Sequence, residues 1–447
     1  MRLLHNAVLG AKARRAACRL LARGASQAPA RRAESWYAWG EWPPGTTHTV
    51  VATVHEGRVR VLADAEGERL LPSVVSFPAA GPPLVGRSAR ARRLTDARNT
   101  VFSVQRLIGR AWTSPEVSEA RLRYPFELRE SRGRGPLVVA RGNEYTLPEI
   151  SALVLRRARA IAEEALGVET SRAVITVPAS FHELQRAATK LAGRVAGLEV
   201  IRILNEPTAA ALAYGLGRRD RERVAVYDFG GGTFDCTLLE LAGSVFEVLA
   251  TSGDSFLGGD DLDTLIAERM SAAFHKAHGF DPRRESDTFE RLRLAAEGLK
   301  HELSQEEVAS VLVEERAASG VTYELVYTLT RRELEALAHP LVERTLAVTR
   351  EALALAALPA SAFDTVVLVG GSTRMPLVRR SVELLFGKAP RSEINPDEVV
   401  ALGAAVQAAA LTSPRRPSIP LPPHGGAAAV PPAPDSTGEV LPNLDFR

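Results

Sequence analysis

From residue 47 to residue 411 the apolar positions fall into short alternating or continuous runs, interleaved with longer stretches of helical period. Residues 49–54, 58–62 and 73–77 predict short strands, with turns at His55-Glu56-Gly57 and Ala65-Glu66-Gly67. Residues 150–166 predict a helix rich in Ala, Leu, Arg and Glu, all good helix formers. A strand at 172–177, a helix at 184–196, a strand at 200–204 and a helix at 208–216 follow. After a charged hinge at 217–223 a similar order begins again, with strands at 224–229, 237–240 and 245–251 and helices at 261–278 and 289–303. Residues 308–327 predict strands, 331–358 a helix and 365–369 a strand; two last helices begin near Pro376 and Asn395. Strand–helix alternation of this kind makes an α/β layer, and its recurrence suggests two halves of one fold.

Both ends break the pattern. Residues 1–40 form an Arg- and Ala-rich leader with no acid before Glu34, expected to be disordered; a mitochondrial presequence has the same character. Residues 413–447 are Pro-rich and aperiodic, and bury too little apolar area to offset the entropy of ordering. The formal net charge of +3 is small for 447 residues, and no basic run is interleaved with aromatics, so no nucleic-acid partner is expected. No apolar run reaches the roughly eighteen residues of a membrane span. Cys18 and Cys236 have no neighbouring partner, which argues against a disulfide framework and makes a reducing compartment the default. The cytoplasm is the expected location, with the mitochondrial matrix as the alternative raised by the leader.

Candidate chemistry sits in three glycine turns, each at the end of a strand. In VAVYDFGGGTFDCTLLEL a buried strand ends in Asp228, and Gly230, Gly231, Gly232, Thr233 and Asp235 follow. Lacking a Cβ, glycine lets backbone N–H groups approach a phosphate closely. Thr233 adds a hydroxyl, and Asp228 and Asp235 stand where carboxylates could hold Mg2+ through its waters, since that ion dehydrates reluctantly. A plain glycine-rich hairpin reads the same way locally, and the run is neither GxxxxGK[ST] nor GxGxxG. The second turn, LVGGSTRMP, enters a helix that Ser372 or Thr373 can cap, and could accept an adenosine or a phosphate. The third, GDSFLGGDDLD, also precedes a helix. Three such turns point to one cleft between two lobes. His275 and His278 stand three apart on a helix without a carboxylate in ligand geometry, and read as a solvated face.

Longer segments keep a familiar order: AEGERLLPSVVSF, NTVFSVQRLIGR, AVITVPASF, QRAATKLAGRVAGLEVIRILNEPTAAALAYG, VYDFGGGTFD, GDSFLGGDDLD, VLVGGSTRMPLV and INPDEVVALGAAVQAA. Over residues 45–411 the sequence resembles the nucleotide-binding domain of the heat-shock protein 70 (DnaK-type) chaperones. The resemblance implies an α/β, actin-like ATPase fold, two RNase-H-like lobes around a nucleotide cleft. Lobe I would span 41–218 and lobe II 219–392, with a helix at 393–412 returning to lobe I. It implies ATP or ADP with Mg2+ as ligands, and a J-domain co-chaperone and a nucleotide exchange factor as partners. Gly45, Thr46 and Thr47 would form a first phosphate loop, and Gly230, Gly231, Gly232 and Thr233 a second. Asp228, Asp235 and Glu206 would surround Mg2+ and the attacking water, with Thr233 beside them. Pro178 and Arg186 would form an interlobe switch. Glu297, Lys300 and Ser304 would lie on an adenosine-contacting helix and Gly370, Gly371, Ser372 and Arg374 on the adenine side. Gly258 and Asp397 would complete the cleft.

The sequence departs from the family pattern at four places. Pro43 stands in EWPPGTT where an aspartate is expected, so the opening strand should be altered, with Trp36, Tyr37, Trp39 and Trp42 packing over the lobe edge. Gln105 replaces a lysine beside the transferred phosphoryl group; losing a preorganised charge of that kind costs about two to three orders of magnitude in rate. His301 replaces an arginine that stacks on adenine. No peptide-gripping β-sandwich follows residue 411, so direct peptide binding is not expected. Two functions compete: an ATPase of reduced turnover in a chaperone context, and a pseudo-ATPase serving as a nucleotide-regulated interaction module.

Overall fold

A computed structural model describes residues 37–40 and 47–412, except 133–134, 217–219, 244, 280, 285 and 317–320; the described residues all belong to one compact unit. Two mixed sheets repeat one strand order. In lobe I, Tyr37–Gly40 is antiparallel to His48–His55, which pairs with Arg58–Val61 and Leu70–Pro72. On its other side Tyr37–Gly40 runs parallel to Arg172–Val177, and that strand parallel to Glu199–Asn205. In lobe II, Glu222–Phe229 is antiparallel to Phe234–Ala242, which pairs with Val245–Asp254, and parallel to Thr365–Val369. A parallel bridge between Val367 and Arg391 stands where lobe I has Glu199–Asn205. Strands covered on both faces are nearly all apolar or β-branched, which is why AVITV and TVVLV read as near-continuous runs.

Local chemistry sets the helix ends. Thr146 and Glu149 make a capping box for Leu147–Leu166, which stops at Gly167 with φ 68°. Thr330 and Glu333 do the same for Arg331–Leu355. Each lobe has its own apolar core, and a third cluster joins them: Val50 and Val174 from one sheet, Val226 and Val369 from the other, and Ala210 and Ala404 from two crossing helices. Those helices, Glu206–Ala213 and Val399–Thr412, touch so closely that a Cβ on Gly403 would lie 1.7 Å from the Ala209 carbonyl oxygen.

Several expectations need correction. Tyr37–Gly40, placed above in a disordered leader, is a strand in the middle of the lobe I sheet. Proline has no N–H for a ladder, so a central strand has to run its course before Pro43. Pro43, Trp36, Trp42, the rest of the leader and the tail after residue 412 lie outside the described residues. The helix Pro115–Arg123 and the sheet of Glu127–Ser131, Gly135–Ala140 and Asn143–Thr146 were not anticipated: the helix and the two outer strands are largely polar, and only the central strand, GPLVVA, is an apolar run. Of the two histidines read as a solvated face, His275 is exposed, whereas His278 is half-buried: its ring rests on Phe274 and Tyr323, and Nε2 lies 2.9 Å from the Glu324 carbonyl oxygen. Among the described residues no helix is long and apolar enough to cross a membrane.

Candidate functional site

The second phosphate-loop candidate is the turn of an antiparallel hairpin. Its ladder sets Asp228 directly opposite Asp235, so the two carboxylates share one face, and Gly230 N–H donates to the Thr233 carbonyl at 3.1 Å to close the turn. The other two glycine turns pack onto it. Gly259 N–H donates to the Gly230 carbonyl at 3.1 Å and Asp260 N–H to the Gly231 carbonyl at 2.6 Å. The Ser372 hydroxyl also donates to the Gly230 carbonyl, at 2.8 Å. Backbone approaches backbone here: a Cβ on Gly258 would lie 2.2 Å from Gly231 O, and one on Gly370, whose φ is 83°, 2.5 Å from Phe229 O.

Lobe I reaches the same place through Thr47. A Cβ on Gly231 would lie 2.0 Å from the Thr47 hydroxyl, a buried oxygen with no hydrogen-bond partner in the structure. A buried polar atom left unmatched is costly unless something else binds it. Gly45 and Thr46, next to it, lie outside the described residues.

The cleft floor is acidic. Burial, then the neighbouring Asp235 and Asp397 carboxylates, push Asp228 up to about 8. Burial and Asp254 raise Asp235 to about 7, against the opposing pull of the Ser180 hydroxyl 3.1 Å away. Among the described residues no three His, Cys, Asp or Glu side chains converge as a metal cage. The opposed carboxylates of Asp228 and Asp235 are oxygen donors suited to a hard cation held by one or two carboxylates and otherwise by water and phosphate oxygens, as Mg2+ prefers. Without a cation, the folded protein keeps protons on Asp228 and Asp235 that the unfolded chain releases near pH 4. It thus binds more protons than the unfolded chain up to about pH 8, and stability falls as pH rises across that window. Melting temperature of the nucleotide-free protein is expected to decline from about pH 5 to about pH 8, and Asp228→Asn to flatten the decline. A level profile in the unsubstituted protein would contradict this.

Glu206 is buried in the first turn of its helix. Arg186 ties the strand end just before it to the turn after Pro178: its guanidinium donates to Asn205 Oδ1 at 2.8 Å and to the Phe181 carbonyl at 2.9 Å. Pro178 lines a cavity of 180 Å3 together with Gln105, Thr233 and Asp235. Gln105 is 4% exposed and its Oε1 has no hydrogen-bond partner.

On the opposite side of the cleft the expected adenosine contacts are engaged with protein. Lys300 is buried, 2.7 Å from Asp263 and 3.2 Å from the Gly259 carbonyl, and does not form a solvated pair with Glu297. Glu297 instead pairs with Arg90 of lobe I. The Ser304 hydroxyl turns back to the Lys300 carbonyl at 3.1 Å. Arg374 lies 2.6 Å from Asp397 and also bonds Asn395, and a Cβ on Gly371 would come within 2.9 Å of Asp397. His301, on the Glu297–Lys300 helix, is exposed. A second cavity of only 30 Å3, lined by Thr47, Arg90, Arg93 and Glu297, lies on this side. Sequence reasoning passed over Arg90, Arg93 and Arg106, which link lobe I to Glu297, Glu290 and Gly232; their partners are 207, 197 and 126 residues away, so no local signal marks them.

The family model described as Hsp70 protein matches residues 44–418. The chain belongs to the Hsp70 family. Its two lobes are those of the actin-like ATPase fold, and it is an Hsp70-type ATP-binding protein. Members of the Hsp70 family bind ATP or ADP with Mg2+ and generally work with J-domain co-chaperones and exchange factors.

Proposed function

We propose that this chain binds Mg·ATP between its lobes and hydrolyses it slowly, with opening and closing of the lobes read by partner proteins in a protein-folding context. The supporting observation is the meeting of three glycine turns and the orphaned Thr47 hydroxyl beside the opposed carboxylates of Asp228 and Asp235. Bound Mg2+ would neutralise phosphate charge. The residues do the rest. Loop N–H groups and the Thr47 and Thr233 hydroxyls hold phosphate oxygens, and Asp228 and Asp235 supply the cation's anionic side. Asp235, steadied by Ser180, orients water in the cavity it shares with Thr233. The Arg90–Glu297 and Arg93–Glu290 pairs bridge the lobes on the expected adenosine side, so opening of the lobes would part them.

Gln105 favours a second reading, a pseudo-ATPase acting as a nucleotide-regulated interaction module, because a neutral side chain stands at the hydrolytic end of the cleft. Calorimetric titration with ADP, with and without Mg2+, followed by single-turnover hydrolysis of labelled ATP separates them. Mg2+-dependent binding with slow turnover is expected. Tight binding without turnover selects the second reading, and no binding defeats both. A J-domain protein and an exchange factor are the proposed partners. The cytoplasm is the proposed compartment, and import of a tagged full-length chain into isolated mitochondria tests the matrix alternative.

A further inference from the structure

We propose that Phe256 is an interlobe peg whose arginine partners make the shape of the phosphate loop depend on lobe closure; this rests on the nucleotide-site reading above. Phe256 belongs to the third glycine turn, in lobe II, yet its half-buried ring packs against the core of lobe I. Two lobe I guanidinium groups face that ring, Arg106 at 4.7 Å and Arg123 at 5.1 Å from its centroid. Cations so placed are drawn to the ring's negative face, more strongly when shielded from water, and Arg106 is only 6% exposed.

Each arginine also holds a polar group of lobe II. Arg123 donates to Asp261 Oδ1 at 2.8 Å, and the other oxygen of Asp261 accepts the Gly258 N–H at 2.8 Å, capping the helix Gly259–His278. Arg106 donates to the Gly232 carbonyl at 2.6 Å.

The peptide unit is planar, so fixing the carbonyl of one residue fixes the N–H of the next. Donors from lobe II hold the Gly230 and Gly231 carbonyls and thereby aim the N–H groups of Gly231 and Gly232. The Gly232 carbonyl, which aims the Thr233 N–H, is held by Arg106 from lobe I. Parting the lobes withdraws Arg106 and frees that last N–H, next to Thr233 and Asp235. By reciprocity, a ligand that grips this N–H favours closure. Arg106 is a positioning residue here, and Phe256 with Arg123 keeps it in place.

Hydrogen exchange of the segment 228–236 in the full chain tests this, with and without Mg·ADP. Phe256→Leu keeps apolar volume but lacks a ring face; it is expected to speed exchange of the loop amides about tenfold, equivalent to about 1.4 kcal/mol, and to weaken ADP by a similar factor. Phe256→Tyr keeps the face and should behave as the unsubstituted protein. Equal loop exchange in Phe256→Leu and the unsubstituted protein overturns the peg, and Phe256→Tyr as fast as Phe256→Leu overturns the role of the arginines. If Phe256→Leu does not fold, Arg106→Met makes the same comparison. Loop exchange in the nucleotide-free arm decides the peg by itself, whereas absent ADP binding by the unsubstituted protein defeats only the nucleotide reading.

Discussion

Replacing Gln105 by lysine is expected to raise single-turnover ATP hydrolysis by about two to three orders of magnitude, the usual effect of one preorganised charge at a reacting phosphoryl group. The side chain is buried with its Oε1 unmatched, in the 180 Å3 cavity that Thr233 and Asp235 also line. An ammonium there would meet the Asp235 carboxylate, whose pKa burial has raised to about 7. That attraction should pull Asp235 back down and keep it ionised at neutral pH, so the pH–rate profile should move toward acid as the rate climbs. Arg106 and Arg110 line the same cavity and oppose the new charge, but Arg110 is paired with Glu116 at 2.7 Å and Arg106 donates to the Gly232 carbonyl. ADP affinity should change little, because Gln105 lies at the phosphoryl end. An unchanged rate with intact ADP binding would remove position 105 from the explanation of slow turnover.

Alanine at Gly403 is expected to cost about 3 kcal/mol, at the upper end for overpacking, and to lower the melting temperature by about 5 °C or more. The new methyl group would lie 1.7 Å from Ala209 O and 2.4 Å from Ala209 C. Both are backbone atoms of the facing helix and cannot rotate away, so the helices Glu206–Ala213 and Val399–Thr412 would have to separate and open the cluster they close. Gly298 supplies the control. It too lies inside a helix, Ser286–Glu302, but a Cβ there meets nothing within 4 Å. Gly298→Ala is therefore expected to raise stability by about 0.5–1 kcal/mol through helix propensity alone. Opposite signs in thermal melts of the two variants would establish that the crossing, and not helix propensity, governs position 403. A melt for Gly403→Ala like that of the unsubstituted protein would show that the two helices slide freely past one another.

Much of the fold was legible because burial on both faces leaves a plain trace. Arg172–Val177 and Thr365–Val369 match the expected strands residue for residue, each an apolar run bounded by turns. The glycine turns were legible too, since close backbone approach leaves few other residue types usable there. Tyr37–Gly40 was not: four residues of mixed character beside two prolines carry no period, and they become a strand because Ala173–Ile175 and Val50–Thr53 flank them. The sequence by itself determined the apolar strands, many helix ends and the glycine turns, because these depend on side-chain chemistry and on neighbours three or four positions away. Only the tertiary structure decided that Lys300 serves Asp263, that Glu297 serves Arg90 and that Arg106 holds Gly232. A charged side chain's partner is settled by which lobe surface it faces after folding, and contacts across 37 to 207 residues leave no periodic mark along the chain.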